Sequence, residues 1–240
     1  MTKQPDSKPG RKNAVRTSST ASSKPAAARP KGEKAREGPA HPAVAHLKQS
    51  DPVLGSIIER VGPYGIEYRE PTFQTLVRSI VYQQLNGKAA LTIFNRLADA
   101  AKADPLTPES ILKLRPARMR ALGLSAQKLS YIRELARLTR SGDVDFEMCT
   151  VLDDVAVIEH LTKVKGIGVW TAHMFLIFAL RRSDILPTGD FGVRAAVKKA
   201  YGLAEMPTPA EMERIAASWR PYCSVASWYL WRSLDNQAAM

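Results

Sequence analysis

The chain has 240 residues, 45% of them apolar, with a formal charge of +12 and a pI near 9.8. That length suits one or two domains around a sizeable core, and no apolar run approaches the roughly 20 residues that spanning a bilayer requires. The charged, Pro-rich start lacks the apolar segment of a secretory leader, and the two cysteines, Cys149 and Cys223, fit a reducing compartment and are too few for an iron–sulfur cluster.

The positive charge is uneven. Residues 1–40 carry ten Lys and Arg against three acidic residues, so +7 of the +12 lies there. Such a field favours polyanions, nucleic acid above all; the plainer alternative is a solvated basic leader on a mildly basic core. Residues 1–45, rich in Lys, Pro, Ala, Ser and Gly and without an aromatic side chain, are expected to be a disordered basic tail, because they cannot bury enough apolar area to offset chain entropy. The folded domain is then expected over residues 46–240.

From Asp51 onward the pattern is helical. Asp51-Pro52, Thr107-Pro108 and Thr208-Pro209 each place a capping side chain before a first-turn proline, and Thr208 with Glu211 makes a capping box. Phe73, Leu76, Val77, Ile80 and Val81 mark one core-facing helix, and Ile93, Phe94 and Leu97 mark the next. Ser125 can cap 126–139, where Leu129, Ile132, Leu135, Ala136 and Leu138 share a face. Gly62, Gly123, Gly142 and Gly202 stand at helix ends. Strand alternation is scarce and no fixed-period repeat occurs, so the expectation is an all-α fold of about ten short helices.

Between two helical patterns lies Val164-Lys165-Gly166-Ile167-Gly168-Val169-Trp170-Thr171-Ala172. Gly166 and Gly168 permit positive φ and close approach of another chain. The next helix starts just past them, so its free N–H groups can hold a phosphate without reading a base. A plain glycine turn between helices explains the same residues. Further on, Pro187-Thr188-Gly189 forms a turn and puts Asp190 at a helix start, where an N-cap role is the simplest reading.

Together with the run from Trp219 to Trp231 and the segment Ile80-Val81-Tyr82-Gln83-Gln84-Leu85-Asn86, these motifs occur in the order found in the helix-hairpin-helix–GPD superfamily of DNA glycosylases. The chain resembles that family over roughly 51–235, and the closing run looks like that of the 3-methyladenine glycosylases. The resemblance implies a two-lobed helical fold that binds double-stranded DNA with a damaged base, acts as a monomer, and works in the nucleoid-bearing cytoplasm of a bacterium or the nucleus of a eukaryote. It implies an enzyme that flips alkylated purines of the 3-methyladenine and 7-methylguanine type and hydrolyses the N-glycosidic bond. Asp190 would be the catalytic carboxylate, at a helix N-terminus whose dipole favours an anion; attack on the sugar, activation of water and stabilisation of its positive charge are all open to it. Trp170 and Trp231, with Tyr82 beside them, would line a pocket whose electron-rich rings stack on a cationic base; a plain packing role is the alternative for each Trp and the simpler reading for Trp228. Gln84 and Leu85 would fill the gap left by the flipped base, although Leu85 could equally pack in the core. Gly166, Ile167, Gly168 and Thr171 would contact DNA.

Two departures refine the resemblance. Bifunctional members carry a lysine where this chain has Trp170, and Lys163 and Lys165 lie before the turn, so the product should be an abasic site. Family members often have Arg at the position of Cys223, which implies the loss of one phosphate or structural contact. No cofactor is implied beyond a Na⁺ or K⁺ ion at the hairpin, on the main-chain carbonyls of Thr162, Val164 and Ile167. His41, His46, His160, His173 and the cysteines lack zinc spacing, and His173 is given no role. Two other readings remain at this point: a non-catalytic helix-hairpin-helix DNA-binding protein, and a glycosylase for oxidised or deaminated bases.

Overall fold

The protein is described here from a computed structural model over residues 41–235; of the basic tail expected over residues 1–45, residues 1–40 lie outside the described residues. Thirteen α-helices and one 3-10 turn, with no strand, make up the described part. None of these helices is long and apolar enough to cross a membrane. In chain order they are α1 (Pro42–Ser50), α2 (Pro52–Val61), α3 (Phe73–Tyr82), α4 (Gly87–Ala101), α5 (Pro108–Lys113), α6 (Pro116–Ala121), α7 (Ala126–Ser141), α8 (Met148–Val151), α9 (Asp154–Thr162), α10 (Val169–Phe178), α11 (Phe191–Ala200), α12 (Pro209–Ala216), the 3-10 turn Ala217–Trp219, and α13 (Cys223–Asp235).

The caps lie where local chemistry puts them. Asp51 accepts from the N–H groups of Val53 and Leu54 at 3.0 Å each, and Asn86 from Ala89 at 2.9 Å. Ser125 accepts from Lys128 at 3.1 Å, and both Thr107 and Thr208 form complete capping boxes. Gly62, Gly123, Gly142 and Gly202 all end their helices at positive φ. One boundary differs from expectation. Residues 42–45 belong to α1, whose Ala43 and Leu47 are fully buried. Pro42 starts that helix at a position where its missing N–H is not needed, and a stretch as poor in large apolar side chains as Pro42–Leu47 hides its helical register from composition.

The helices bury two cores, which bears out the two-lobed architecture. One core gathers α3 to α10 around Leu76, Ile80, Leu97, Ile132, Leu135 and Phe175. The other joins the first and last helices of the described residues: α1 and α2 pack with α11, α12 and α13 around Leu47, Leu54, Val197, Trp219 and Tyr229. Trp231 packs against both. Cys223 is fully buried in the second core. Because α10 belongs to the first lobe and α11 to the second, the segment between them carries the chain across, and Asp190 stands at its end.

Candidate active site

Asp190 caps α11 and is 7% exposed. Its Oδ1 accepts from the Val193 N–H at 2.7 Å and from the Trp231 indole N–H at 2.9 Å, and its Oδ2 accepts from the Trp170 indole N–H at 2.6 Å. Each lobe's wall thus sends one indole edge to the same carboxylate. Gly192 keeps this arrangement open: a Cβ there would lie 3.2 Å from both Asp190 Oδ1 and Trp231 Cδ1. Trp170 and Phe191, on either side of the carboxylate, are 46% and 75% exposed. The carboxylate is therefore buried and tightly held, yet it stands at an open rim.

Two adjoining clefts open beside it. One, of about 540 Å³, is lined by Trp170, Thr171, Tyr82, Gln83, Gln84 and Met174, with Arg69, Arg78, Ser79 and Phe178. The other, of about 690 Å³, is lined by Trp231, Trp228 and residues of the segment after α2. Arg69 and Phe178 belong to both. The single ring-lined pocket expected from sequence is thus divided, with Trp170 and Tyr82 in one cleft and Trp231 in the other. Two of the expected rings already have partners. Trp231 presents its N–H edge to Asp190 and stacks on Phe178 at 5.7 Å, while Tyr82 carries the Arg78 guanidinium 4.3 Å from its ring centre. One face of each ring is already taken, because packing between the lobes and a cation on α3 reach them first.

The loop after α3 lies on the rim of the smaller cleft. Gln84 adopts a left-handed φ of 55°, which costs a non-glycine residue roughly 1–2 kcal/mol. Lys128 holds the loop in that shape, donating to the carbonyls of Val81 at 2.8 Å and Gln83 at 2.7 Å; burial lowers the pKa of its ammonium. Gln83 donates in turn to the Gly166 carbonyl at 3.0 Å, which ties the loop to the hairpin. Leu85 is 39% exposed, so the alternative of core packing does not hold.

The hairpin joins α9 to α10. Gly166 has φ of 89°, and a Cβ there would lie 2.0 Å from the Tyr131 ring, so this position admits only glycine. Gly168 differs from expectation: its φ of −94° and ψ of 176° are extended backbone open to any residue. Its lack of a side chain matters in another way, since α10 starts on it without a side-chain cap and leaves first-turn N–H groups free for a ligand. Thr171 and Ile167 are each 4% exposed. Their side chains face the cleft and the first core rather than the outer face of the hairpin, because they lie on the inward side of the turn that Gly166 folds.

Sequence reasoning missed Arg69, Arg78, Gln83, Lys128, Phe178 and Gly192. A signal existed for Arg78, which stands one helical turn before Tyr82 and so shares its face. Gly192 lay in plain view two positions after Asp190. Gln83 stood within the segment 80–86 without a role of its own, and nothing local marks the other three.

Comparison with known proteins agrees with this geometry. The family model for the HhH-GPD superfamily of base excision DNA repair proteins matches residues 77–221. DNA-3-methyladenine glycosylase 1 of Schizosaccharomyces pombe is 34% identical over 78% of this chain and 85% of its own. The structure of the S. pombe 3-methyladenine glycosylase Mag1 with abasic DNA superposes with a TM-score of 0.71 over 79% of this chain and 95% of its own, at 34% identity. A DNA-3-methyladenine glycosidase from Bacillus halodurans gives 0.74 over 83% and 92%, at 35% identity. The chain belongs to the HhH-GPD superfamily of base excision DNA repair proteins.

Proposed function

We propose that this protein is a monofunctional DNA glycosylase that extrudes an alkylated purine from duplex DNA, hydrolyses its N-glycosidic bond and leaves an intact abasic site. The observation that carries the reading is Asp190: a buried carboxylate gripped by the indole N–H groups of Trp170 and Trp231, each of which lines a cleft. The names of the relatives supply the substrate class, bases of the 3-methyladenine type. A non-catalytic DNA-binding protein has no use for this constellation.

In this reading Asp190 faces the sugar and balances the positive charge that grows as the bond to the base breaks. Trp170 and Trp231 fix the two carboxylate oxygens so that little reorganisation accompanies the reaction. The bond's electron pair leaves with the base, water adds to the sugar carbon, and its proton departs to solvent. A base already cationic leaves as a neutral molecule and needs no acid. Gln84 and Leu85 fill the vacated stack, and the open start of α10 holds a phosphate. Main-chain oxygens at the end of α9 lie at the negative end of its dipole and lack intrahelical donors, and the Val164 carbonyl keeps a lone pair beyond the 3.0 Å bond from Ile167. The main-chain carbonyls of Thr162, Val164 and Ile167 would hold a monovalent cation, which would draw the DNA backbone to the hairpin. The protein acts as a monomer.

The test is single-turnover excision on duplexes that each carry one modified base. Release of methylated purines with strand cleavage only after added alkali is expected. Borohydride trapping of a protein–DNA adduct, or no excision from any duplex, would sink the reading.

A further inference from the structure

Arg69 and Arg78 stand side by side where the clefts meet. Arg69 lies in the segment between α2 and α3, anchored by its own N–H, which donates to the Phe178 carbonyl at 2.8 Å. Arg78 projects from α3 with its guanidinium 4.3 Å from the centre of the Tyr82 ring and 5.4 Å from that of Phe94. Both line the cleft of Trp170, and both line a third groove of about 470 Å³ on the other side. Neither takes part in an ion pair among the described residues. Burial and then the charge of Arg78 depress the Arg69 pKa, with Tyr82 and Glu67 opposing as smaller influences. Two neighbouring guanidinium groups, neither of them ion-paired although Glu67 and Glu70 line the adjoining grooves, repel each other until an anion joins them, and the planar guanidinium fork matches a phosphate.

We propose that Arg69 and Arg78 form a phosphate site that receives a backbone phosphate next to the extruded nucleotide, on the wall of the cleft opposite the hairpin. The proposal rests on the reading of this cleft as the place of base extrusion. Arg69 lines all three grooves, within reach of a backbone that stays outside, and a base would lie between Tyr82 and Trp170. A cationic base would also be repelled by the pair unless a phosphate offsets it. The extruded nucleotide is then gripped from two sides, by helix N–H groups on α10 and by guanidinium groups on α3 and the segment before it.

The test is binding of the full chain to a duplex carrying one uncleavable abasic analogue, followed by fluorescence anisotropy over a range of KCl. Arg69→Gln should weaken binding about tenfold or more at low salt and flatten the plot of log K against log salt by about one unit. A methylphosphonate at one phosphate flanking the analogue should weaken the wild type by a similar factor and weaken Arg69→Gln no further. An unchanged slope, or losses that add at every flanking position, would overturn the proposal. So would an excision defect confined to one class of lesion with normal binding, which would put the arginines on the base edge. Arg78→Lys keeps the charge and loses the fork, and should fall between wild type and Arg69→Gln. Arg78→Gln risks disturbing the packing of α3, so Arg69→Gln decides. Binding to an uncleavable analogue is read without catalysis, so this proposal and the proposed function can fail separately.

Discussion

Asp51 and Asp190 are built almost alike and sit in opposite surroundings. Each is 7% exposed, each caps a helix, and each accepts from first-turn N–H groups and from indole N–H. Asp51 takes its indole bond from Trp219 at 2.8 Å and a very short bond from the Tyr201 hydroxyl. Trp219 is fully buried, and burial followed by the Asp51 bond raises the Tyr201 pKa well above the ordinary phenol range. Asp51 lies in the second core, with a fully buried Trp219 and a partly buried Tyr201 against it, and neither partner lines the clefts beside Asp190. Around Asp190 the same bonds come from Trp170 and Trp231 at the mouths of two clefts. A buried, fully bonded carboxylate therefore does not by itself mark chemistry. What separates the two is the space beside the carboxylate and the exposure of its partners.

The largest effect expected from breaking this comparison is on rate. Asp190→Asn should lower single-turnover excision by about 10²–10³-fold or more, the scale of removing a key electrostatic group, and should leave the melting temperature within a few degrees of wild type. Excision within tenfold of wild type would show that Asp190 is as structural as Asp51. The mirror experiment is Asp51→Ala. It strands the Tyr201 hydroxyl and the Trp219 indole N–H in the core and removes a cap, at a cost of about 3 kcal/mol or more, so the melting temperature should fall by about 6–12 °C. Excision per folded molecule should be unchanged; a matching loss of rate would mean that the second lobe shapes the site directly.

Smaller changes sharpen the contrast. Trp170→Phe and Trp231→Phe each remove one donor from Asp190, and excision should drop roughly 5–30-fold, equivalent to about 1–2 kcal/mol. Trp219→Phe should cost about 1–3 kcal/mol of stability with no change in rate, as measured by denaturant unfolding beside single-turnover assays. The pH dependence of stability separates the lobes more gently. Burial lowers the pKa of His160, helped by Lys163, and of His173, both in the lobe that carries Trp170. The unfolded chain then takes up protons first, so stability should fall as pH drops below about 6.5 and level off below the folded pKa values. On the alkaline side burial pushes Cys149, in the same lobe, to about 11 and Tyr229, in the other, to about 12. The unfolded chain releases those protons first, so stability should fall again from about pH 9 upward. A melting temperature flat from pH 5 to 7 would contradict the acid half of this account.

The sequence by itself determined the helices, their caps and the order of the motifs. A cap is settled within three or four residues: Ser125 needs only the N–H of Lys128, and Thr208 only Glu211. It also placed Asp190 at a helix start and marked Trp170 and Trp231. It lost α1, whose small side chains carry little periodic signal, and it could not tell which of two capped, buried aspartates faces a cleft. Only the tertiary structure decided that Trp170, 20 residues away, and Trp231, 41 residues away, send their indole N–H groups to one carboxylate. Only it set Arg69 beside Arg78, and only it showed that Gly166, not Gly168, needs to be glycine, because the Tyr131 ring fills the space. Those outcomes depend on which lobe each helix joins and how closely two cores approach, and no window of neighbouring residues contains that information.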